Sequence, residues 1–502
     1  MKKLCLYLLL LLAAVSAAAQ SNVDLLDKYV EASIKDWKVP GLSIAVVEDG
    51  KVVLSKGYGV RTLGKDERVD NKTLFGCMST TKAFTAAGLG MMVDEGKLNW
   101  DDKVTKWLPD FRVDDAYITA DLRVRDLLTH NSGIGDADIL WAWNQKVTPD
   151  EVYHKMAMAK RAYPLRGGFT YQNIMYLIAG MVLEKASGMK WEDFVTTRIF
   201  RPLGMNDTYA TLARSKGYAN RSTPHFEVEG KILNIPESEA DPIAPAGAIW
   251  SNSDDIAKWV TFLLAAGTAD GKPLLKPQTF AELVKPQVIV PAPGFYPTIA
   301  LTKPHWMTYG FGWFQHDYRG EMVDFHTGSL DGRTAIIGLI PDKHLGVYVF
   351  GNLDHAELRH ALMYKVFDLF AFNDNSRDWS ADFKKLYDGI KANQKTQVDA
   401  IKAMRKTGTS PTLPLSAYVG KYSDPFIGTV DVSMTGDKLK LSLPDGTSAM
   451  LGPWQFDSFD ATWEKPWWGH SIAQFTISAV APQVESISID GATLRKEATH
   501  GN

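Results

Sequence analysis

Residues 79–82, Ser-Thr-Thr-Lys, begin an apolar run that continues to Val93 and stops at Gly96. This run predicts a helix with Ser79 at its N-terminus. Free backbone N–H groups and the positive end of the helix dipole favour negative charge there. Lys82 falls one turn along the same face, where its amine can take the proton of the Ser79 hydroxyl. The stretch therefore predicts a nucleophilic serine with a lysine base.

Two competing motif matches have the wrong context. A second Ser-x-x-Lys occurs at residues 187–190, but it lies where a predicted helix stops, at the negative end of the dipole. A literal Lys-Thr-Gly at 406–408 follows a charged helix in a linker, whereas His-Thr-Gly at 326–328 lies in a strand-like run. The context therefore favours Ser79 and residues 326–328.

A third motif, Tyr171-Gln172-Asn173, comes after a flexible glycine pair and before a predicted helix. From there the Tyr171 phenol can reach across a cleft as a proton carrier, and Asn173 can offer its amide to a substrate. The alternative is that Asn173 caps the helix and Tyr171 packs beneath it. The presence of the other two motifs favours the functional interpretation.

The distribution of strand signals predicts an α+β fold. A mainly helical region from about 79 to 285 separates two groups of strand-like runs. These runs are 42–49 and 51–59 before the helical region, and 322–328, 333–340 and 345–351 after it. Strands at both ends predict one antiparallel sheet flanked by helices, with a helical region inserted into it.

The C-terminal part has a different pattern. Residues 376–412 read as a charged helix with a linker, and 413–502 read as short strands between turns, which predicts a small all-β barrel domain. The tryptophans of this tail are Trp454, Trp463, Trp467 and Trp468. Either they line a ligand surface, or they belong to a core or interface. A further alternative is that the tail mediates self-association.

The N-terminus predicts export. Lys2 and Lys3 precede an apolar run to Val15 and an Ala-rich end, which is typical of a signal peptide over 1–19. We therefore expect a secreted, periplasmic protein whose first domain covers 20–375; an uncleaved anchor is the alternative. No later window is apolar enough to span a membrane. Loss of the leader leaves a single cysteine, Cys77, so we expect no intramolecular disulfide. We expect the Cys77 thiol to be buried.

Composition excludes several classes of protein. Hydrophobic residues at 45% and charged residues at 23% are ordinary globular values. The formal net charge of −3 argues against a nucleic-acid binder. The sequence contains neither a His-Glu-x-x-His motif nor an acidic calcium loop, so we expect no metal and no cofactor. It also lacks Gly-x-Ser-x-Gly, the serine motif of α/β-hydrolases.

Several segments carry a family resemblance. Beyond the three motifs they are Val-Pro-Gly-Leu at 39–42, Leu-Leu-Thr-His-Asn-Ser-Gly at 127–133, Pro-Ala-Gly at 245–247 and Tyr-Gly-Phe-Gly-Trp at 309–313. With them, residues 30–370 resemble the serine β-lactamase and penicillin-binding protein superfamily, in particular its class C-like branch of esterases and D-aminopeptidases. The tail resembles the lipocalin-like barrel that follows some members of this branch.

The resemblance implies a β-lactamase/transpeptidase-like fold and an acyl-enzyme mechanism. It implies Ser79 as the acylated nucleophile, Lys82 as its activating partner and Tyr171 as the proton shuttle. The backbone N–H groups of Ser79 and Ser329 would form the oxyanion hole, with Gly328 and Asn173 beside the substrate.

His326 stands where β-lactamases and cell-wall peptidases of this superfamily usually have lysine. A histidine is mostly neutral above pH 7, so a substrate carboxylate would lose part of its anchor. We therefore expect a small-molecule or short-peptide substrate, with short peptides, including those with D-amino acids, ahead of esters and β-lactams third. A catalytically silent binding protein is the alternative from another class. For His326 itself, the alternative is a purely structural place in a strand.

The loop at 286–308 carries five prolines and is predicted to be stiff. It enters the sheet near the predicted cleft, so we expect Trp306 to line the acyl pocket. Trp141 is expected to do the same from the loop after Gly135. Plain loop packing is the alternative for both residues.

Overall fold

The structure, a computed structural model, describes residues 21–498; the predicted signal peptide lies outside this range. The first part of the chain, up to Ala371, contains a large antiparallel sheet and is called the sheet domain. Its strands are β1 (Gly41–Glu48), β2 (Lys51–Gly59), β3 (Phe75–Gly76), β4 (His225–Val228), β5 (Lys231–Asn234), β6 (Trp250–Ser251), β7 (Thr268–Ala269), β8 (Lys272–Pro273), β9 (Val288–Ile289), β10 (Met307–Tyr309), β11 (Phe314–Tyr318), β12 (Glu321–Leu330), β13 (Arg333–Ile340) and β14 (Leu345–Gly351).

The helices lie mostly between the two groups of long strands. They are α1 (21–36), α2 (Thr81–Asp94), α3 (Val104–Trp107), α4 (Ala116–Asp121), α5 (Ile139–Ala142), α6 (Pro149–Lys155), α7 (Ile174–Ser187), α8 (Trp191–Val195), α9 (Leu212–Ser215), α10 (Ala244–Gly247), α11 (Ser253–Leu264), α12 (Pro277–Val284), α13 (Ile299–Thr302), α14 (Leu358–Val366) and α15 (Trp379–Ala403).

The main sheet brings the two groups of strands together. Its order is β2-β1-β14-β13-β12-β11-β10-β9, and every neighbouring pair is antiparallel. The N-terminal hairpin therefore lies against β14, the last strand of the domain. This arrangement confirms the predicted α+β fold with an inserted helical region.

The central strands are buried on both faces because helices cover both sides of the sheet. Along β1, Ala45 and Val47 belong to one hydrophobic core, and Ile44 and Val46 belong to the other. Side chains alternate between the faces of a strand, so a continuous apolar run supplies both cores. Helix α11 packs on one side and α14 on the other.

One end of β12 has an open edge. Its pairing with β11 stops at Phe325, whereas its pairing with β13 continues to Leu330. Residues 326–330 therefore have a strand partner on one side only. Their other side faces the turn at Met78–Thr80, which lies against this part of β12.

The C-terminal part is a closed barrel, as the sequence predicts. Its eight antiparallel strands follow one another in chain order: β15 (Gly420–Asp424), β16 (Gly428–Thr435), β17 (Lys438–Ser442), β18 (Ser448–Gln455), β19 (Ser458–Trp463), β20 (His470–Ile477), β21 (Val484–Ile489) and β22 (Ala492–Lys496). Alternating buried and exposed residues on these strands fill the interior with side chains. We call this unit the barrel.

The barrel packs directly on the sheet domain. Trp143, which follows α5, is buried in the barrel's hydrophobic cluster. The Lys146 ammonium donates to the carbonyl of Asp445, and the Trp467 indole donates to the Asp331 carboxylate at 3.0 Å. These contacts place the barrel beside the turn between β12 and β13.

Helix α15 connects the two units. Trp379 and Phe383 in its first turns are buried against the sheet domain, and its later turns are exposed. Within residues 21–498, none of the helices combines the length and apolar character that crossing a bilayer requires.

The close approach between β12 and the turn at 78–80 predicts that Gly328 is intolerant of a side chain. A Cβ at this position would lie 2.3 Å from the Cys77 carbonyl oxygen and 3.1 Å from the Ser79 nitrogen. We expect Gly328→Ala to lower the free energy of unfolding by about 1–3 kcal/mol, because backbone must move. Urea denaturation followed by tryptophan fluorescence measures this change.

A matched control is Gly389→Ala, on the exposed part of α15, where an added Cβ has no heavy atom within 4 Å. This change should raise helix stability by up to about 1 kcal/mol. Equal stabilities of the Gly328→Ala variant and the wild type would contradict the predicted clash.

Candidate active site

Ser79 lies in a 3-10 turn, Met78–Thr80, which leads directly into α2. Met78 has a φ of +47°, in the left-handed region that residues with a Cβ rarely adopt. Such backbone strain persists where the surroundings enforce it, and it is common next to functional groups. The turn leaves Ser79 half-buried between completely buried neighbours, so its hydroxyl remains accessible.

Lys82 lies beneath Ser79 and is completely buried. Its ammonium donates to the Ser79 hydroxyl at 3.0 Å and to the Ala246 carbonyl at 3.1 Å. The third N–H group of the Lys82 ammonium donates to the side-chain oxygen of Asn173 at 2.6 Å. All three N–H groups of Lys82 are thus used, which fixes the nitrogen beside the hydroxyl.

The Asn173 amide is held between Lys82 and a residue that the sequence reasoning missed. Its nitrogen donates to the Asp138 carboxylate at 2.6 Å, and its oxygen accepts from Lys82. The backbone N–H groups of Asn173 and Ile174 also donate to Asp138, at 2.9 Å and 3.3 Å. The carboxylate therefore fixes which end of the amide faces Lys82.

This arrangement contradicts the helix-cap interpretation of Asn173, because its side chain makes no cap hydrogen bond to α7. Its amide is hydrogen-bonded to Lys82 and Asp138, and its contact with a substrate stays a prediction. Asp138 carries no motif, and its spacing of 35 residues from Asn173 gives no local signal that could have found it.

Burial and charge move the pKa values of this pair in opposite directions. Burial lowers the pKa of Lys82, and the Asp138 carboxylate partly opposes this shift. Burial together with neighbouring Asp136 raises the pKa of Asp138, and hydrogen bonds from Asn173 oppose that shift. Lys82 thereby becomes neutral at a lower pH than an exposed lysine and can accept a proton.

Tyr171 lies over this cluster. The Lys82 nitrogen is 5.0 Å from the centroid of the Tyr171 ring. The His130 ring packs against the same Tyr171 ring, with the two centroids 4.2 Å apart and the planes tilted by 38°. Burial raises the pKa of Tyr171 well above its ordinary value, and contact with the Ser79 hydroxyl partly opposes the rise. Tyr171 is therefore a neutral phenol beside the nucleophile.

A chain of hydrogen bonds links His130, Tyr309 and His326. The Gln172 N–H donates to His130 Nδ1, so His130 Nε2 carries the proton and donates to the Tyr309 oxygen at 3.2 Å. The Tyr309 hydroxyl then donates to His326 Nε2 at 3.0 Å. His326 Nδ1 completes the chain by donating to the Thr327 carbonyl at 2.6 Å. Neutral tautomers satisfy every nitrogen of both imidazoles.

The structure therefore shows His326 as a group bonded within the protein, and its catalytic role stays a prediction. Its side chain is buried, and both of its nitrogens bind protein atoms. Burial and the nearby Lys82 lower the pKa of His326 to about 3, although the bond to Thr327 favours the charged form. The imidazole is neutral, as the sequence predicts.

Gly328 and Ser329 lie at the open edge of β12, next to Ser79. Ser329 is exposed, whereas Gly328 is packed against the turn at 78–80. The buried guanidinium of Arg359 donates to the Gly328 carbonyl at 2.5 Å and to the Ser329 hydroxyl at 2.8 Å. Glu357 binds the other side of the same guanidinium. Arg359 thus fixes this strand end, and no sequence motif marks it.

The two predicted aromatic lining residues occupy different places. Trp306 binds Asp317 through its backbone N–H, at the hairpin end of β11 and away from residues 326–330. It is not part of the site, because β10 enters the sheet at the opposite end from Ser79. From the same loop, Tyr296 instead reaches the site and hydrogen-bonds Thr327 at 2.5 Å. Trp141 lies at the barrel interface beside Leu330.

Cys77 is a buried free thiol, as the sequence predicts. Burial raises its pKa to about 12, against weaker opposing contacts with Tyr348 and Thr80. It is therefore protonated and unreactive at neutral pH. The Ser79 hydroxyl, and not the Cys77 thiol, is therefore the candidate nucleophile of this turn.

Known proteins are similar to this chain over most of its length. The family model described as Beta-lactamase matches residues 26–368, and a domain of unknown function, DUF3471, matches 404–500. The chain is 29% identical over 423 residues to the unguisins hydrolase ungD' of Aspergillus campestris, covering 79% of this chain and 75% of that protein. It is 25% identical to protein flp of Staphylococcus aureus, covering 66% and 63%.

Solved structures share the fold. The octameric penicillin-binding protein homologue from Pyrococcus abyssi aligns with a TM-score of 0.62 and 22% identity, covering 94% of this chain and all of that one. SurE bound to D-Leu aligns with a TM-score of 0.55 and 20% identity, covering 96% of this chain and all of that one.

The contact between Asp138 and Asn173 predicts a pH effect. In Asp138→Asn the negative charge that raises the pKa of Lys82 is lost, so this pKa falls further. Because the proposed base is the neutral form of Lys82, the acidic limb of the plot of log kcat/KM against pH moves to lower pH. Poorer orientation of Asn173 should also lower kcat/KM by roughly tenfold. Hydrolysis of p-nitrophenyl acetate between pH 5 and 9 measures both effects.

The control is Asp150→Asn, which neutralises an exposed carboxylate in the first turn of α6. It should leave the rate and the acidic limb close to those of the wild type. An unshifted limb in Asp138→Asn would disprove the electrostatic coupling to Lys82.

Proposed function

The chain belongs to the beta-lactamase family, and from this premise we propose that it is a serine hydrolase that works through an acyl-enzyme at Ser79. The observation that carries the proposal is the 3.0 Å hydrogen bond between Lys82 and the Ser79 hydroxyl. A buried lysine with a lowered pKa is a base, and it contacts the hydroxyl of half-buried Ser79.

The first proposed step forms the acyl-enzyme. The Ser79 oxygen attacks the substrate carbonyl carbon while its proton passes to neutral Lys82. Backbone N–H groups of Ser79 and Ser329 receive the developing oxyanion at the open edge of β12. The Tyr171 hydroxyl then gives a proton to the leaving amine or alkoxide, and the proton held by Lys82 restores the phenol.

The second proposed step releases the acid. A water molecule takes the place of the leaving group on the side of Tyr171, gives its proton to the Tyr171–Lys82 pair and attacks the ester carbonyl. The bond to the Ser79 oxygen then breaks, and the oxygen recovers its proton from Lys82. Asn173 and Asp138 hold the Lys82 nitrogen in place throughout.

For the substrate we propose a short peptide or similar small amide, including peptides with D-amino acids, ahead of an ester. We also propose that the chain belongs to the esterase and D-aminopeptidase branch and that its barrel is lipocalin-like. The His326 imidazole is neutral and hydrogen-bonded within the protein, so it supplies no cation for a substrate carboxylate. This supports the proposed order of substrates, in which β-lactams come third. The relative from Aspergillus campestris is named a hydrolase of unguisins.

The alternative is a catalytically silent protein that binds a ligand through the barrel. An intact Lys82–Ser79 contact counts against it, because loss of catalysis removes the reason to bury a lysine beside a serine. Covalent labelling separates the two functions directly.

We expect a fluorophosphonate probe to add one equivalent to the wild type and to attach to the peptide that contains Ser79. Ser79→Ala should take up no probe and lose at least about a thousandfold in kcat, because the nucleophile is absent. Intact-mass analysis and peptide mapping measure the adduct. Ser187→Ala, in the second Ser-x-x-Lys match, is the control and should label normally. Labelling that persists in Ser79→Ala would refute the assignment.

We also propose export to the periplasm, supported by the charged and apolar pattern of residues 1–19. Expression of the full chain in a Gram-negative host should give a periplasmic protein whose N-terminal residue is Gln20. N-terminal sequencing of the fractionated protein measures this. A cytoplasmic protein that retains Lys2 and Lys3 would contradict export.

A further inference from the structure

A cavity of about 350 Å³ lies between the sheet domain and the barrel, beside the proposed active site. Its sheet-domain wall contains Leu330 and Asp331, which directly follow Ser329 on β12, and Trp141 from α5. Trp141 lies one turn after Asp138, the residue that holds Asn173. Both parts of this wall are therefore short continuations of segments that contact the turn at 78–80 or Asn173.

The barrel supplies the opposite wall. Trp463 at the end of β19 and Trp468 in the following 3-10 turn pack edge to face, with ring centroids 5.2 Å apart. The Trp463 indole donates to Ser471, and neighbouring Trp467 donates to Asp331. The wall is thus built before any ligand arrives and is bonded to the sheet domain.

The chemistry of the cavity indicates what it accepts. Most of its wall is aromatic or aliphatic, and its volume is within the range of pockets that hold small ligands. The charged groups that line it are the carboxylates of Asp331 and Asp490. Lys465 lies against the Trp468 ring at 4.3 Å but does not line the cavity. An apolar group fits this lining, and an anionic group does not.

One buried donor in the cavity wall lacks a partner. The Trp141 indole nitrogen is buried without a hydrogen-bond acceptor among residues 21–498. Because this nitrogen has no accessible surface, it faces protein atoms, and Trp141 contributes its apolar ring to the cavity wall.

The position of Tyr171 indicates which half of a substrate reaches the cavity. Its ring lies against His130, Phe314 and His326, on the side of β12 that precedes Gly328. The cavity lies beyond Ser329, at the C-terminal end of this strand. Because Tyr171 is the proposed proton donor to the leaving group, the leaving group lies on its side and the acyl group extends towards the cavity.

We propose that this cavity between the two domains is the subsite for the acyl substituent, and that it selects a bulky apolar or aromatic group without negative charge. The barrel thereby takes part in substrate selection through Trp463 and Trp468. This inference rests on the proposed acyl-enzyme at Ser79, and the experiment below separates the failure of one from the failure of the other.

The test compares three p-nitrophenyl esters that share one leaving group: the acetate, the phenylacetate and the hemisuccinate. In the wild type, kcat/KM should be higher for the phenylacetate than for the acetate, and lowest for the anionic hemisuccinate. Trp468→Ala should reduce kcat/KM for the phenylacetate by roughly tenfold, mainly through KM, and change the acetate less than twofold.

Three further variants control the interpretation. Trp454→Ala removes a barrel tryptophan that stacks on Arg405 outside the cavity, and it should change none of the three rates. Gln145→Trp narrows the cavity and should also lower the phenylacetate rate selectively. Asp490→Asn keeps a side chain that tolerates its φ of +47° and should raise the hemisuccinate rate relative to the phenylacetate.

The outcomes are distinct. Unchanged ester preferences in both Trp468→Ala and Gln145→Trp, with acetate hydrolysis still dependent on Ser79, would overturn the subsite and leave the hydrolase intact. Acetate hydrolysis that survives in Ser79→Ala would overturn the proposed function itself. Equal fluorophosphonate labelling of the wild type, Trp468→Ala and Gln145→Trp establishes that each variant is folded before its rates are compared.

Discussion

The burial of Lys82 is the constraint on which the rest of the site depends. A lysine without access to water must have its N–H groups satisfied, and here Ser79, Asn173 and Ala246 satisfy them. The same burial lowers the pKa of the amine, so the group that needs the most support is also the one that becomes a base. Three segments of the sheet domain must meet correctly for this single nitrogen to be accommodated.

Around this nitrogen the protein arranges supporting groups that do not touch the reacting atoms. Asp138 orients the Asn173 amide, and Arg359 fixes the strand end that carries Gly328 and Ser329. The chain from His130 through Tyr309 to His326 keeps two imidazoles neutral beside a lysine. Neutral imidazoles suit this place, because additional positive charge would oppose protonation of Lys82 during the reaction.

The barrel is joined to this arrangement through the turn that follows Ser329. Asp331 accepts a hydrogen bond from Trp467, and the cavity beside it has walls from both domains. In the proposed mechanism this strand binds the oxyanion at Ser329, and two residues later Asp331 lies at the domain interface. The proposed subsite would couple the position of the barrel to the shape of the acyl pocket, so that changes in the barrel alter substrate choice without altering Ser79 or Lys82.

The sequence by itself determined the strands, the closed barrel, the α+β arrangement and the set of residues Ser79, Lys82 and Tyr171, because alternation, turn residues and helix start signals are local. It also identified His326 as uncharged, from its ordinary pKa. Only the tertiary structure decided what each group faces: that His326 and Asn173 bind protein atoms, that Trp306 lies at the far end of the sheet, and that Asp138 and Arg359 hold the site. The reason is that these hydrogen bonds join segments that are 31 to 136 residues apart in the chain, and no local pattern records such contacts.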